Sequence, residues 1–120
     1  MFEDIEKDFI LPNTLSAMAK TFYVSVEKPL RDGVWSIKKG STVTGVKVIS
    51  QGEKIRDVQK LVNKYPLPNG NLTDAKDWYK VRGTALITDG VTEQFKEIHW
   101  YQCENIGKVD FKLKRWGDEE

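Results

Sequence analysis

The sequence predicts an α+β domain in which one or two helices pack on one face of a mainly antiparallel sheet that ends in a three-stranded meander. Three observations carry this expectation. Through the last third of the chain apolar and polar residues alternate, in segments separated by turn-forming residues. Between Glu53 and Lys64 the period lengthens to that of a helix, with Ile55, Val58, Leu61 and Val62 on one stripe and Lys54, Arg56, Asp57, Lys60 and Lys64 outside it. The 120 residues are 39% apolar and 31% charged, which suits a single domain (1–120) with its own core and argues against wholesale disorder.

The elements follow in order. Residues 1–20 read as an N-terminal arm or a short helix: Leu11-Pro12-Asn13 interrupts the chain, and Asn13 or Thr14 can cap a helix through Lys20. Phe22–Val26 reads as a strand that ends before Pro29. Val34–Lys38 and Val43–Ser50 read as strands on either side of the turn-prone Lys39-Gly40-Ser41. After the helix, Pro66, Pro68 and Asn69-Gly70-Asn71 impose a loop, and Thr73 or Asp74 caps a short helical turn through Trp78. The meander consists of Val81–Thr88, a strand from Gln94 to Gln102, and Lys108–Arg115, joined at Asp89-Gly90 and around Glu104-Asn105-Ile106-Gly107.

Composition narrows the function classes. No apolar run approaches the ~20 residues that span a bilayer, so no membrane association is expected. The acidic start differs from a secretory signal, and a cytoplasmic setting is expected. Net charge is only +1, which does not by itself mark a nucleic-acid binder, but Lys108, Lys112, Lys114 and Arg115 cluster near the end of the chain. Cys103, the single cysteine, can form neither an internal disulfide nor a zinc site. One histidine among scattered acids lacks ligand spacing, so no metal and no other cofactor is expected.

Strand alternation sorts the meander into two faces. Ile98 and Trp100 share one face of their strand; Glu97, His99 and Tyr101 share the other. Val81, Ala85 and Ile87 oppose Lys80, Arg82 and Thr84, and Val109, Phe111 and Leu113 form an apolar row opposite Lys108, Asp110, Lys112 and Lys114. The apolar face is expected to lie under the helix. The other face would then gather Arg82, Glu97, His99, Tyr101, Lys112 and Lys114. Such a face suits phosphodiester cleavage. Glu97 and His99, at i and i+2, can act as an acid and base pair on a ribose 2′-hydroxyl and the leaving oxygen. Arginine and lysine can stabilise the charge growing on phosphoryl oxygens. The plainer alternative is that any one-sided antiparallel sheet shows a charged face to water.

The segment from Lys54 to Arg115, with "KIRDVQKLVNKY", "DAKDWYKVRGTALI" and "EIHWYQCENIGKVDFKLKR" in that order, resembles the small C-terminal toxin and toxin-like domains of bacterial polymorphic and contact-dependent systems. Many of these belong to the barnase, EndoU, colicin and RelE group of metal-independent ribonucleases. The resemblance implies one or two helices followed by a four-stranded antiparallel sheet with the active site on its open face. It implies His99 and Glu97 as catalytic acid and base, with Arg82 and Lys112 on the scissile phosphate. Lys80, Tyr101 and Lys114 would hold the substrate. It further implies RNA as substrate, an immunity protein as partner, and action in the cytoplasm of the producing or a target cell. The chain begins at its own Met with no delivery region, which is the reading of an excised domain or a free-standing relative. The alternative function is a non-catalytic module of phage or secretion-system origin that uses the same face to bind nucleic acid or a protein.

Overall fold

The computed structural model describes residues 19–114; the arm or helix expected before Ala19, and Arg115 at the end of the last expected strand, lie outside the described residues. Among the described residues, seven strands and one α-helix follow in chain order. They are β1 (Phe22–Tyr23), β2 (Lys28–Pro29), β3 (Ser36–Ile37), β4 (Thr42–Gln51), α1 (Val58–Lys64), β5 (Trp78–Thr88), β6 (Glu93–Cys103) and β7 (Gly107–Leu113). Every strand pairing is antiparallel. The molecule is therefore a small α+β fold built on one curled antiparallel sheet.

Strand β5 organises that sheet. On one side β6 pairs along its whole length, from Trp78↔Cys103 to Thr88↔Glu93. On the other side β4 takes its first half and β3 its last two residues, Ile87 and Thr88. The two margins then approach each other: the backbone N–H of Arg31, between β2 and β3, donates to the Phe111 carbonyl of β7 at 2.9 Å. The curl buries one face of the sheet against itself. Val81, Ala85, Ile87, Ile98, Trp100 and Phe111 meet Phe22, Val24, Leu30, Ile37 and Val43 in one core. Trp100, fully buried, has Phe22 edge-on at 5.5 Å and Phe111 stacked at 5.5 Å. Each such pair contributes about 0.5–1.5 kcal/mol beyond area burial. Gly83 makes room for this: a Cβ there would lie 2.9 Å from Val43 Cγ1 and 3.1 Å from the Trp100 ring.

The helix differs from expectation in length and in place. Gly52 (φ 60°) and Asp57 (φ 58°) are both left-handed, so residues 52–54 make only a 3₁₀ turn and the α-helix begins at Val58. The stripe itself is kept, since Ile55, Val58, Leu61 and Val62 are all buried. However, they pack not on Ile98 and Trp100 but on Trp78 and Cys103, with Tyr101, Ile106 and Val109 at the margin. By alternation Trp78 and Cys103 stand on the face opposite Val81 and Trp100. The helix therefore covers one end of the face that carries the polar row. The curl already covers the inner face, which leaves Trp78 and Cys103 as the apolar surface needing a cover.

A second correction concerns β7. The register runs from His99↔Lys112 to Tyr101↔Val109, so one extra residue is inserted opposite Trp100. Asp110, at φ 56°, forms this bulge. Val109 consequently joins the helix side while Phe111 stays in the inner core, and the expected three-residue apolar row is broken. At the other margin, β1 and β3 are shorter than expected, and β2 is an additional strand. Its Pro29 pairs with Ser36 at the edge of the sheet, where the missing N–H is tolerated. The β5–β6 connection spans Asp89 to Thr92, with the Asp89 carboxylate accepting from the Val91 and Thr92 amides at 2.9 and 2.8 Å.

Candidate functional site

The outer face of the meander carries two adjoining polar regions. The first is centred on Glu97. In cross-strand register Arg82 stands opposite His99, and His99 opposite Lys112, so β5, β6 and β7 each contribute one residue to a single line. Glu97 lies one pleat along. Its Oε2 is 3.0 Å from His99 Nε2 and 3.3 Å from Arg82 Nε. The hydrogen bond with His99 is the largest influence holding the Glu97 carboxyl below the usual carboxylate range. Partial burial opposes it, and the charges of Arg82, His99 and Lys114 assist. With Glu97 ionised, His99 Nε2 carries the proton and donates. Its Nδ1 is buried without a hydrogen-bond partner among the described residues. The imidazole is 2% exposed, whereas the side chains of Arg82 and Glu97 are 37% and 32% exposed. The histidine thus lies beneath the surface, and the arginine and glutamate above it meet solvent. Lys114 is exposed at the end of β7, where its backbone N–H donates to the Glu97 carbonyl.

The second region is a cleft of ≈ 350 Å³ between the sheet and α1. The sheet supplies Lys80, Tyr101, Asp110 and Lys112; the helix and the turn before it supply Arg56, Asp57, Lys60, Leu61 and Lys64; Arg31 closes one side. Six basic side chains therefore face two acids. Both acids already have partners: Asp57 pairs with Lys60 at 3.9 Å, while Asp110 Oδ1 accepts from Tyr65 Oη at 2.6 Å and from Lys64 Nζ at 3.2 Å. The bulge is what aims Asp110 at the helix. Lys80 is buried to 2% exposure, and its ammonium is 6.0 Å from the centre of the Tyr101 ring, at the outer range of a cation–π contact. A second hollow of ≈ 390 Å³ shares Arg31, Lys64 and Asp110 with the first and continues past Lys28 and Lys108.

Of the seven residues singled out from sequence, the cleft gathers Lys80, Tyr101 and Lys112; Arg82, Glu97 and His99 form the neighbouring ion cluster, and Lys114 stands at its edge. Sequence reasoning missed Arg31, Arg56, Lys60 and Lys64. A signal for three of them was present, since Arg56, Lys60 and Lys64 recur at intervals of four, one flank of a helix. Among the described residues no helix is long and apolar enough to cross a membrane, and no three metal-ligating side chains cluster. Comparison with protein-family models, with curated proteins and with solved structures returns no match, so function must be argued from this geometry.

Proposed function

We propose that the protein is a binding module for single-stranded RNA, which lies in the cleft between α1 and the meander. The observation that carries this reading is the charge of the cleft: six basic side chains against two acids, in a chain whose net charge is only +1. Such segregation gives an electrostatic footprint for a phosphate backbone that total charge conceals. The cleft is concave and contains a half-buried tyrosine, a combination suited to one strand with splayed bases. The choice of RNA rests on the sequence resemblance described above. An acidic protein partner, such as an immunity protein, would cover the same basic surface.

The second reading is metal-independent cleavage of the bound RNA, favoured by the position of Glu97, His99 and Arg82 beside the cleft, with Lys112 lining it and standing opposite His99. Here Glu97 would take the 2′-hydroxyl proton, Arg82 and Lys112 would neutralise the phosphoryl oxygens, and His99 would return a proton to the leaving oxygen. Binding is the better supported of the two because His99 is covered, and a proton donor must reach its substrate.

Fluorescence polarisation with a labelled single-stranded RNA tests the first reading. Affinity is expected to fall linearly in a plot of log K against log salt, with a slope near −2 for about three phosphates contacted. Absence of salt-sensitive binding would remove the proposal. The same RNA incubated in EDTA beside Glu97→Gln and His99→Gln separates the second: cleavage lost in both variants would establish it, and intact RNA would eliminate it.

A further inference from the structure

We infer that Arg31 and Arg56 grip the RNA backbone in the cleft, and that through Arg31 the bound strand latches the seam at which the curled sheet closes; this rests on the RNA-binding reading above. The cations of the cleft differ in what they already touch. Lys60 and Lys64 pair with Asp57 and Asp110, and Lys80 and Lys112 have interactions of their own within the chain. Arg31 and Arg56 line the same cleft; both are exposed, and their guanidiniums have no hydrogen bond or ion pair among the described residues. A guanidinium presents parallel N–H donors that match two oxygens of one phosphate, and it keeps its charge throughout the working range of pH. Two such groups, one between β2 and β3 and one just before α1, offer a phosphodiester strand its readiest contacts.

Arg31 also stands where the sheet is least continuous. Among the described residues, one backbone hydrogen bond ties the segment from β2 to β3 to β7: the Arg31 N–H to the Phe111 carbonyl at 2.9 Å, with Leu30 and Phe111 in the same core behind it. The second hollow, ≈ 390 Å³, lies along this seam, with Lys28 and Arg31 on one side and Val109, Asp110 and Phe111 on the other. A margin held by so few bonds beside open space belongs to the low-stability end of a structure, where local opening is easiest. The other end of the hairpin is tied to β5, through the Ile37↔Ile87 pairing and the Lys38 N–H to the Leu86 carbonyl. Opening therefore swings Arg31 away from β7 and α1. A strand held at once by Arg31 and Arg56 requires the closed seam, so binding and closure favour each other by the worth of the Arg31 contact.

Native-state hydrogen exchange, read beside affinity, tests the latch with two probes: a single-stranded oligoribonucleotide, and inorganic tripolyphosphate as a phosphate chain without ribose or base. At saturating oligoribonucleotide, exchange of the Arg31 amide is expected to slow about tenfold, the worth of one charge-assisted hydrogen bond. The Lys38 amide, on the hinge side, should keep its rate. Arg31→Gln retains the amide at that position but should lose the slowing and about tenfold in affinity. Arg56→Gln should lose similar affinity and, once saturated, keep the slowing. Unchanged affinity in either variant overturns the pair, and equal slowing at positions 31 and 38 overturns the latch; both results leave RNA binding intact. Slowing by tripolyphosphate without any binding of the oligoribonucleotide keeps the latch and overturns the RNA reading. Binding of neither probe overturns both.

Discussion

The two polar regions of the outer face share a sheet and differ in how their charge is resolved. Around Glu97 the charges answer one another: a carboxylate lies between an arginine and a buried histidine, held ionised by both. In the adjoining cleft six basic groups share two acids, Asp57 and Asp110, which pair with Lys60 and Lys64, so the lining carries four more basic groups than acids. In the first arrangement the charges are matched within the chain, while His99 Nδ1 is left without a hydrogen-bond partner among the described residues. The second is an accumulation of like charge around a cleft, which suits an anionic ligand. Functional residues are therefore better sought where charge is unbalanced than where the one histidine happens to be.

The largest expected effect separates the regions by binding. Arg56→Glu combined with Lys60→Glu places two acids on the helix side of the cleft, each change taking one cation away from the phosphates and adding repulsion. RNA affinity should fall by about 100-fold or more, on the basis of a factor of about ten for each charge-assisted hydrogen bond removed. Both residues are exposed, so the urea unfolding midpoint should move little, or rise slightly as like charges are relieved. A matching loss of stability would show that the basic groups serve the fold instead.

Glu97→Gln is the converse experiment. It leaves Arg82 and the buried His99 without their shared carboxylate while keeping the side chain's shape. Removing the partner of a buried, hydrogen-bonded group costs about 1–3 kcal/mol, and that loss should appear in urea unfolding while oligonucleotide affinity stays unchanged. If affinity collapses and stability does not, Glu97 belongs to the ligand and the comparison is reversed.

This contrast was only half legible in the sequence. Alternation placed Arg82, Glu97, His99, Tyr101 and Lys112 on one face, because a period of two needs nothing beyond the strand itself. It could not show that the inner face would be covered by the sheet's own curl, since the closure depends on Arg31 reaching the distant Phe111. Nor could it show that the helix would move to the polar side. That transfer created the cleft, buried Lys80 and brought Arg56, Lys60 and Lys64 opposite Tyr101. The bulge at Asp110 was equally hidden, because an aspartate at positive φ is chosen by its tertiary partners, Tyr65 and Lys64, and leaves no mark in the pattern of apolar residues.

A smaller effect follows from acid. The Glu97 carboxyl is held below its ordinary value of 4.5 in the folded chain, so the unfolded chain binds the proton more readily. Its contribution to stability is fully present above about that ordinary value and is lost as pH falls through the lowered folded value. The stability difference between wild type and Glu97→Gln should therefore be constant near neutrality and shrink on acidification below the ordinary value. Chemical denaturation at several pH values reads it directly. A difference that persists to the lowest pH would assign the effect to shape instead of charge.

The smallest effect tests whether ligand and helix communicate. Cys103 lies under α1 at 1% exposure, with its thiol pushed up to about 12, chiefly by burial and then by the charges of Asp77 and Glu104. A thiol so placed reacts as thiolate only when the helix lifts from Trp78 and Cys103. Alkylation of the native protein should accordingly be slow and should track local opening. The helix also forms one wall of the basic cleft, so a bound oligonucleotide would hold it against the sheet. The rate should then fall by a few-fold, as expected when a ligand binds the closed form in preference to the open one. Glu97→Gln, on the balanced side of the face, should leave this protection by ligand intact. Loss of protection in that variant, or no protection in wild type, would mean that the cleft's occupant does not bear on α1 and that its binding lies on the sheet alone.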